Sequence, residues 1–429
     1  MMKCLLFSVA MVCAGFFAIE SKAQAPAIDW QASYGGTWYD FVTNISPTTD
    51  GGYILSATSS SDISGEKTVA SYGSEDYWII KIDAFGTIEW QKAYGGSGSD
   101  VAIHVEQTAD GGYIIGGYSS SGIGGNKTVS TYGSNDCWII KTNASGTIEW
   151  QKTLGGTGYE IFYAVHQTSD GGYIVGADSE SGFSGNKTEA SLGGKDYWIV
   201  KLDAVGNISW QNAIGGSGSD LFADINITSD GGFIIGGNST SGITGDKTEN
   251  SNGGNDFWVL KLSSTGNIQW QNTIGGSSDD ALYYCFETGD GGYFIGGSSA
   301  SEISGDKTEP QFGDIIGMPD MWVMKLNNSG LIEWQNTIGG NRGDVAYAGA
   351  EKSDGTFVIA GNSSTGINGD KTEPAFGAAG ITDYWALHLD ETGNILWQRT
   401  LGGEASEVLF CVVITPDGGC MLGGASWSG

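Results

Sequence analysis

One block of about 60 residues recurs along the whole chain, and it constrains the fold more than any other feature. Trp followed by Gln stands at Trp30, Trp90, Trp150, Trp210, Trp270, Trp334 and Trp397, spaced by 60 residues four times, then by 64 and 63. In step with it, Asp-Gly-Gly stands at Asp50, Asp110, Asp170, Asp230, Asp290 and Asp417, with Asp-Gly-Thr at Asp354. A third mark, Asp-Tyr-Trp or a near copy, begins at Asp76, Asp136, Asp196, Asp256, Asp320 and Asp383. A tandem block of this length is one supersecondary unit that buries its apolar faces against copies of itself.

Within a unit the pattern reads as four strands. From Asp220, LFADINIT is a strand, SDGG a tight turn and FIIGGNS a second strand. A long polar loop leads to FWVLKLS, then STGN turns into IQWQNTI. Asp-Gly supplies the positive φ of a hairpin turn, and the next Gly lets the chain leave without a side-chain clash. No helical period is present. Four antiparallel strands per repeat predict an all-β fold, a β-propeller whose blades are linked by Trp90, Trp150, Trp210, Trp270, Trp334 and Trp397, each packing on the following blade. Lettering the strands a to d outward from the axis, the chain opens on a lone d strand, Ile28 to Tyr34, and closes on strands a and b, Val408 to Ala425. The opening strand is expected to complete the last of seven blades. A seventh copy of strand c is not found before Gly429, which leads to the expectation that the sequence stops inside the closing blade.

The chain has 429 residues with 49 acidic against 19 basic, a balance that argues against nucleic-acid or anionic-membrane partners. Residues 1–23 read as a secretory signal peptide, with Lys3, an apolar run from Cys4 to Ile19 and cleavage after Ala23. The run is too short for a membrane span. Residues 24–429 are then one exported propeller domain, secreted or at the cell surface, and expected to be a monomer. Cys137, Cys285, Cys411 and Cys420 fall at non-equivalent places in the repeats and read as small buried apolar residues, not as a disulfide framework.

The consensus DGGYIIGG, DYWIIKLDA, WQK and GGSGSD resembles the tandem repeats of secreted Bacteroidetes-type proteins. Many of these carry a C-terminal type IX secretion sorting domain, and some are grouped as bulb-lectin-like or quinoprotein-like. The likeness covers Trp30 to Gly424 and implies an extracellular propeller; a sorting domain is not seen in this sequence. Lys201 to Gly216 is also similar to the tryptophan-docking motif of quinoprotein dehydrogenases, a blade-packing device. Thr168 to Ile174 resembles an Asp-box hairpin, in which the Asp organises its own turn.

Catalytic patterns are not found. His104 and His166 lie at different phases of strand a, His388 replaces a strand c lysine, and no metal-ligand spacing results. No cofactor is expected. Calcium stays unassigned, since loops such as GSDLFAD offer oxygen ligands but not at the EF-hand spacing. The loop SGDKTE, Ser304 to Glu309, suggests a phosphate loop until its six copies are aligned. Each has a polar residue between Gly and Lys, and each leads to a strand. It is read as a blade-linking loop in which Lys307 pairs with Asp280 or Asp320.

Residues at the same phase in every blade, among them Asp110, Asp170, Asp230, Lys127, Lys187, Lys247 and Lys307, are read as serving the fold. Binding is sought where the repeat breaks, on the face carrying the d-to-a and b-to-c loops. The departures are Trp38, Tyr39, Tyr159 and Arg342, with Phe312 and Phe376 in the enlarged loops 309–320 and 373–383. Exposed aromatics there could stack on sugar rings or anchor a protein. The expectation is a non-enzymatic binding or adhesion propeller for a glycan or surface protein. The alternatives are an extracellular polysaccharide hydrolase or quinoprotein-like oxidoreductase, or a structural spacer.

Overall fold

The computed structural model describes residues 25–313 and 317–428, and every regular element in them is a β-strand. The signal peptide and its cleavage point lie outside the described residues. Among those described, no helix is long and apolar enough to cross a membrane. Strands β1 (Asp40–Pro47), β2 (Tyr53–Ser59), β3 (Asp76–Ile82) and β4 (Ile88–Tyr94) form the first sheet, in that order and antiparallel. The same order recurs in β5–β8 from Asp100 to Leu154, β9–β12 from Glu160 to Ile214 and β13–β16 from Asp220 to Ile274. It recurs again in β17–β20 from Asp280 to Ile338 and β21–β24 from Asp344 to Leu401. β25 (Glu407–Ile414) and β26 (Cys420–Ser426) make a two-stranded sheet.

The first strands of successive sheets touch one another, and β25 and β26 return to β1, so the sheets close a ring with their first strands at the axis. Phe41 of β1 and Phe410 of β25 meet across the closure with ring centroids 6.0 Å apart. The fold is a β-propeller of six four-stranded blades and a partial, two-stranded seventh sheet.

The opening segment departs from the expectation. Ile28 to Tyr34 joins no β-ladder, because the strand that would lie between it and β26 is not present in the seventh sheet. Its side chains nevertheless hold the outer-strand place. The Tyr34 hydroxyl donates to the Gly86 carbonyl at 2.6 Å, as Tyr94 does to Gly146 at 2.5 Å, and Trp30 packs on the first blade's core.

Each first strand carries one extra residue at its fourth position, for example Ile103 between Ala102 and His104. The bulge breaks period-two alternation, which is why these strands read poorly from sequence. Second and third strands are buried on both faces between neighbouring blades. Outer-strand tryptophans pack as expected: the rings of Trp90 and Tyr113 lie 5.6 Å apart, and those of Trp270 and Tyr293 5.4 Å.

The Asp-Gly-Gly turns are built as read. Asp110 Oδ1 accepts from the Thr108 hydroxyl at 2.6 Å and the Gly112 amide at 3.0 Å, with Gly111 at φ 80°. Asp170 and Asp230 repeat this arrangement. All three also meet a third-strand lysine, Lys141, Lys201 or Lys261, at 2.9–3.0 Å.

The loop lysines do something else. Lys127 lies over the Trp138 ring, 5.2 Å from its centroid, and donates to Ser119 Oγ and the Ser121 carbonyl. Lys307 sits 5.5 Å over Trp322, donates to the Thr337 hydroxyl and makes no ion pair with Asp280 or Asp320. Oδ2 of Asp280 accepts from the Gly276 amide and Ser301 hydroxyl and Oδ2 of Asp320 from the Phe312 amide, while Oδ1 of each is buried without a hydrogen-bond partner among the described residues. The glutamine after the outer-strand Trp of each four-stranded blade completes the knot. Gln151 Oε1 accepts from Trp138 Nε1 at 3.1 Å and from the Thr128 amide at 3.0 Å, while its Nε2 donates to the Asn126 carbonyl. Cys137, Cys285 and Cys411 are buried and Cys420 is half-buried, all as free thiols.

Candidate functional site

The d-to-a and b-to-c loops emerge together, tied by bonds such as Trp38 N to Ser61 Oγ at 2.9 Å and Glu66 N to the Gly35 carbonyl at 2.9 Å. On this loop face Trp38 and Tyr39 are 71% and 68% exposed, next to the partial seventh sheet, and Tyr159 is 47% exposed two blades away. Phe376 is exposed and Phe312 half-buried. Their amides donate to Asp383 and Asp320, as the Tyr72 amide does to Asp76. Both phenylalanines thus stand at a repeat position shared with Tyr72, Tyr132 and Leu192, and only the loop after them is enlarged. Half-buried Arg342 lies between the two enlarged loops, with Gly313 against its neighbour Asn341 and Gly380 beside its guanidinium. The structure therefore brings Arg342 and the loops of Phe312 and Phe376 together, and leaves Trp38 with Tyr39, and Tyr159, on separate blades.

The third blade carries a further set of charged departures that the repeat pattern alone does not single out. Asp178 stands where the other five full blades have Thr58, Tyr118, Asn238, Ser298 and Asn362; Lys195 stands where they have Glu75, Asn135, Asn255, Pro319 and Thr382; Glu180 stands where they have Ser60, Ser120, Thr240, Ala300 and Ser364. Asp178 is fully buried, with Lys195 Nζ 3.3 Å from one carboxylate oxygen and the Tyr163 hydroxyl donating to the other at 3.2 Å. Burial pushes the Asp178 carboxyl up to about 6, against the pull of Lys195. Above this pair a cleft of about 530 Å³ is lined by Thr157, Glu180, Ser181, Lys195 and Ser219. Its rim is fixed by the Glu180 amide donating to the Tyr159 carbonyl at 3.2 Å. A carboxylate, an ammonium group and hydroxyls around one concavity form a hydrogen-bonding set for a polar ligand, with exposed Tyr159 next along the chain from the lining residue Gly158. Asp178 holds Lys195 in place from below. Lining the six full repeats up position by position, and asking where residue chemistry changes, would have found the cluster.

At the axis the structure joins two histidines that the sequence reading kept apart. The rings of His104 and His166 meet edge to face at 4.9 Å, and His166 Nδ1 lies 2.7 Å from Glu106 Oε2. Burial and His166 push His104 down to about 3. For His166, burial acts downward but the Glu106 hydrogen bond and charge hold it above its ordinary value. Neighbouring first strands carry Asn44, which accepts from the Val105 amide, and Asp224 and Asn226, which bond the Cys285 amide and carbonyl. These groups satisfy the inner edge of the next blade's first strand, a role in ring closure. No cluster of three or more metal-ligating side chains is present among the described residues.

No protein-family model and no curated protein matches the chain. Among solved structures, a chain of the hydrazine synthase of Kuenenia stuttgartiensis is similar over 92% of this chain and 95% of that one, at 10% identity and a TM-score of 0.53. The WD40 domain of Neurospora crassa Pan2 is similar over 89% of this chain and 85% of that one, at 12% identity and a TM-score of 0.48. What is shared at such identities is the propeller fold.

Proposed function

We propose that this chain is an exported, non-enzymatic binding or adhesion module whose loop face holds an extracellular glycan. The observation that supports the reading most is the third-blade cleft, where Glu180 and Lys195 depart from the repeat together and line one concavity, with Tyr159 next along the chain from its lining residue Gly158. A fold that repeats its structural residues in every blade can change chemistry in one blade at little cost to folding, and that is where a ligand site is built. Trp38 and Tyr39 offer a second stacking surface on the same face.

Glycan-array binding by the mature chain tests the proposal, with Tyr159→Ala, Lys195→Met and the pair Trp38→Ala, Tyr39→Ala as variants. Retention of one glycan class that falls about tenfold or more in the Tyr159 or Lys195 variant is the expected result. Retention by none, with turnover of a polysaccharide by the same preparation, would put the enzyme reading in its place.

A further inference from the structure

One position on the loop face repeats in every complete blade and yet does nothing for the core. It is held by Ile63, Ile123, Phe183, Ile243, Ile303 and Ile367, always a large apolar residue, and these side chains are between 60% and 76% exposed. The residue before it is Gly in four of the six loops and the residue after it Ser or Thr in four, small or polar types suited to a turn, so the large apolar side chain is the one feature of this stretch that the turn does not call for. A residue kept for packing would be buried, as the lysine four positions further on is in all six loops. Single exposed apolar residues are ordinary on a protein surface, but six at one phase around one face are a pattern that folding does not account for.

The ring is wider than one side chain. Tyr72 lies against Gly125, two residues on from Ile123, and Tyr132 and Leu192 take the same place against Gly185 and Gly245. Each of these three is itself about half exposed. At these three junctions an apolar residue of one blade therefore lies on the loop that carries the next blade's ring residue, widening the apolar surface there; at the fourth the place is taken by Asn252 against Gly305.

Charge selects the partner. Acidic groups flank the ring, among them Asp62, Glu66, Glu180, Asp246, Glu302 and Asp306, while the six loop lysines are buried beneath it. The basic residues left on this face, Lys195 and Arg342, are half-buried. An acidic, apolar-studded ring repels an anionic lipid surface and a second copy of this chain, which carries a formal net charge of −30. Flat aromatic rings suit sugars, and here five of the six side chains are aliphatic. We infer that the ring is a docking surface for a cationic protein segment that presents apolar side chains among its lysines or arginines, engaged by several blades at once. This inference rests on the loop face being the contact face, but not on the third-blade cleft.

The test uses the mature chain and an immobilised amphipathic peptide of leucine and lysine, with oligolysine of equal charge and phosphatidylcholine vesicles, with and without phosphatidylglycerol, as comparisons. At physiological salt the parent chain is expected to bind the leucine-lysine peptide at least about tenfold more tightly than oligolysine. Replacing Ile123, Phe183 and Ile243 together by Ser should lower that affinity about tenfold, and replacing all six should bring it to the oligolysine level. Circular dichroism and the unfolding midpoint should not move, since the side chains are exposed, and the threefold variant keeps the test open if the sixfold one folds poorly. Unchanged peptide affinity in the variants, equal binding of oligolysine, or preference for the anionic vesicles would each overturn the inference. Tyr159→Ala and Lys195→Met should leave peptide binding intact, so a failed glycan array with ring-dependent peptide binding separates the two readings.

Discussion

The carboxylate of Asp136 occupies the space that a β-carbon on Gly155 would take, so the third strand of one blade reads the loop that leaves its own outer strand. Its other oxygen accepts from the Tyr132 and Gly133 amides and ties down the b-to-c loop. The same contact joins Asp76 to Gly95, Asp196 to Gly215, Asp256 to Gly275, Asp320 to Gly339 and Asp383 to Gly402. Two of the repeat marks, Asp before Trp and the Gly pair after the outer strand, are thus halves of one fit. Gly155→Ala should lower stability by about 2–3 kcal/mol through overpacking against a buried carboxylate. Gly182→Ala, where nothing lies within 4 Å of the new atom, should stay within about 0.5 kcal/mol. Denaturant unfolding of the two variants checks the difference.

Buried third-strand aspartates make the fold prefer mild acid. Burial pushes Asp196 and Asp256 up to about 6 and Asp320 up to about 8, all above their unfolded value near 4. Each holds a proton in the fold that the unfolded chain has released, so its contribution declines as pH rises from about 4 through the folded value. The turn aspartates Asp110, Asp170 and Asp230 work the other way. Held down to about 2 with Thr and Lys hydrogen bonds opposing burial, they contribute above about 4 and lose that as pH falls toward 2. His104, held near 3, opposes the trend modestly below its ordinary value. Thermal unfolding should therefore have a higher midpoint near pH 5 than at pH 8.5. Asp320→Asn, which keeps the oxygen that accepts the Phe312 amide, should raise the midpoint at pH 8.5 and flatten the slope. A midpoint that rises steadily from pH 5 to 8.5 would contradict this.

Gln151 and Gln31 carry the same motif but not the same work. Gln151→Leu removes the acceptor for both Trp138 Nε1 and the Thr128 amide and should cost about 1–3 kcal/mol. Gln31 is exposed, with no third strand beside it, and Gln31→Leu should be nearly silent. Unfolding free energies of the two variants measure the contrast.

The partial sheet has a defined complement. β26 is half-buried along most of its length where β2 is buried throughout, and Gln31, Ala32 and Ser33 are exposed where Gln91, Lys92 and Ala93 are not. In the first blade Trp78 stands opposite Ala57 and Trp90 stands opposite Lys81. By the same register a strand added beside β26 would set its Trp opposite Gly424 and within reach of Gln31. A synthetic peptide with the sequence of Asp76–Asp83 should raise the unfolding midpoint in a concentration-dependent way. The same peptide with its Trp changed to Ala should not, and Gln31→Leu should weaken the effect. Equal stabilisation by both peptides would rule out this register.

By itself the sequence determined the blade. Periodic Trp, Asp-Gly-Gly and Asp-aromatic-Trp marks fixed strand order, turn type and the tandem ring, because hairpin chemistry is local and each repeat must fit its neighbour in the same way. Trp90 packing on the next blade and Asp110 organising its own turn were legible for that reason. The tertiary structure alone decided what depends on atoms from different repeats. Lys307 lies on the Trp322 face and donates to the Thr337 hydroxyl instead of pairing with Asp280 or Asp320, a choice made by side chains of three different strands. His104 and His166, out of phase by two residues, meet because each first strand reaches further along the next one, as Asn44 does to the Val105 amide and Asp224 to the Cys285 amide. Asp178 and Lys195 pair across a long loop. Exposure too was invisible in one dimension: Ile123 and Lys127 share a loop and each recurs at its own place in every repeat, and only the fold shows that the apolar side chain faces water while the ammonium group is buried on a tryptophan ring.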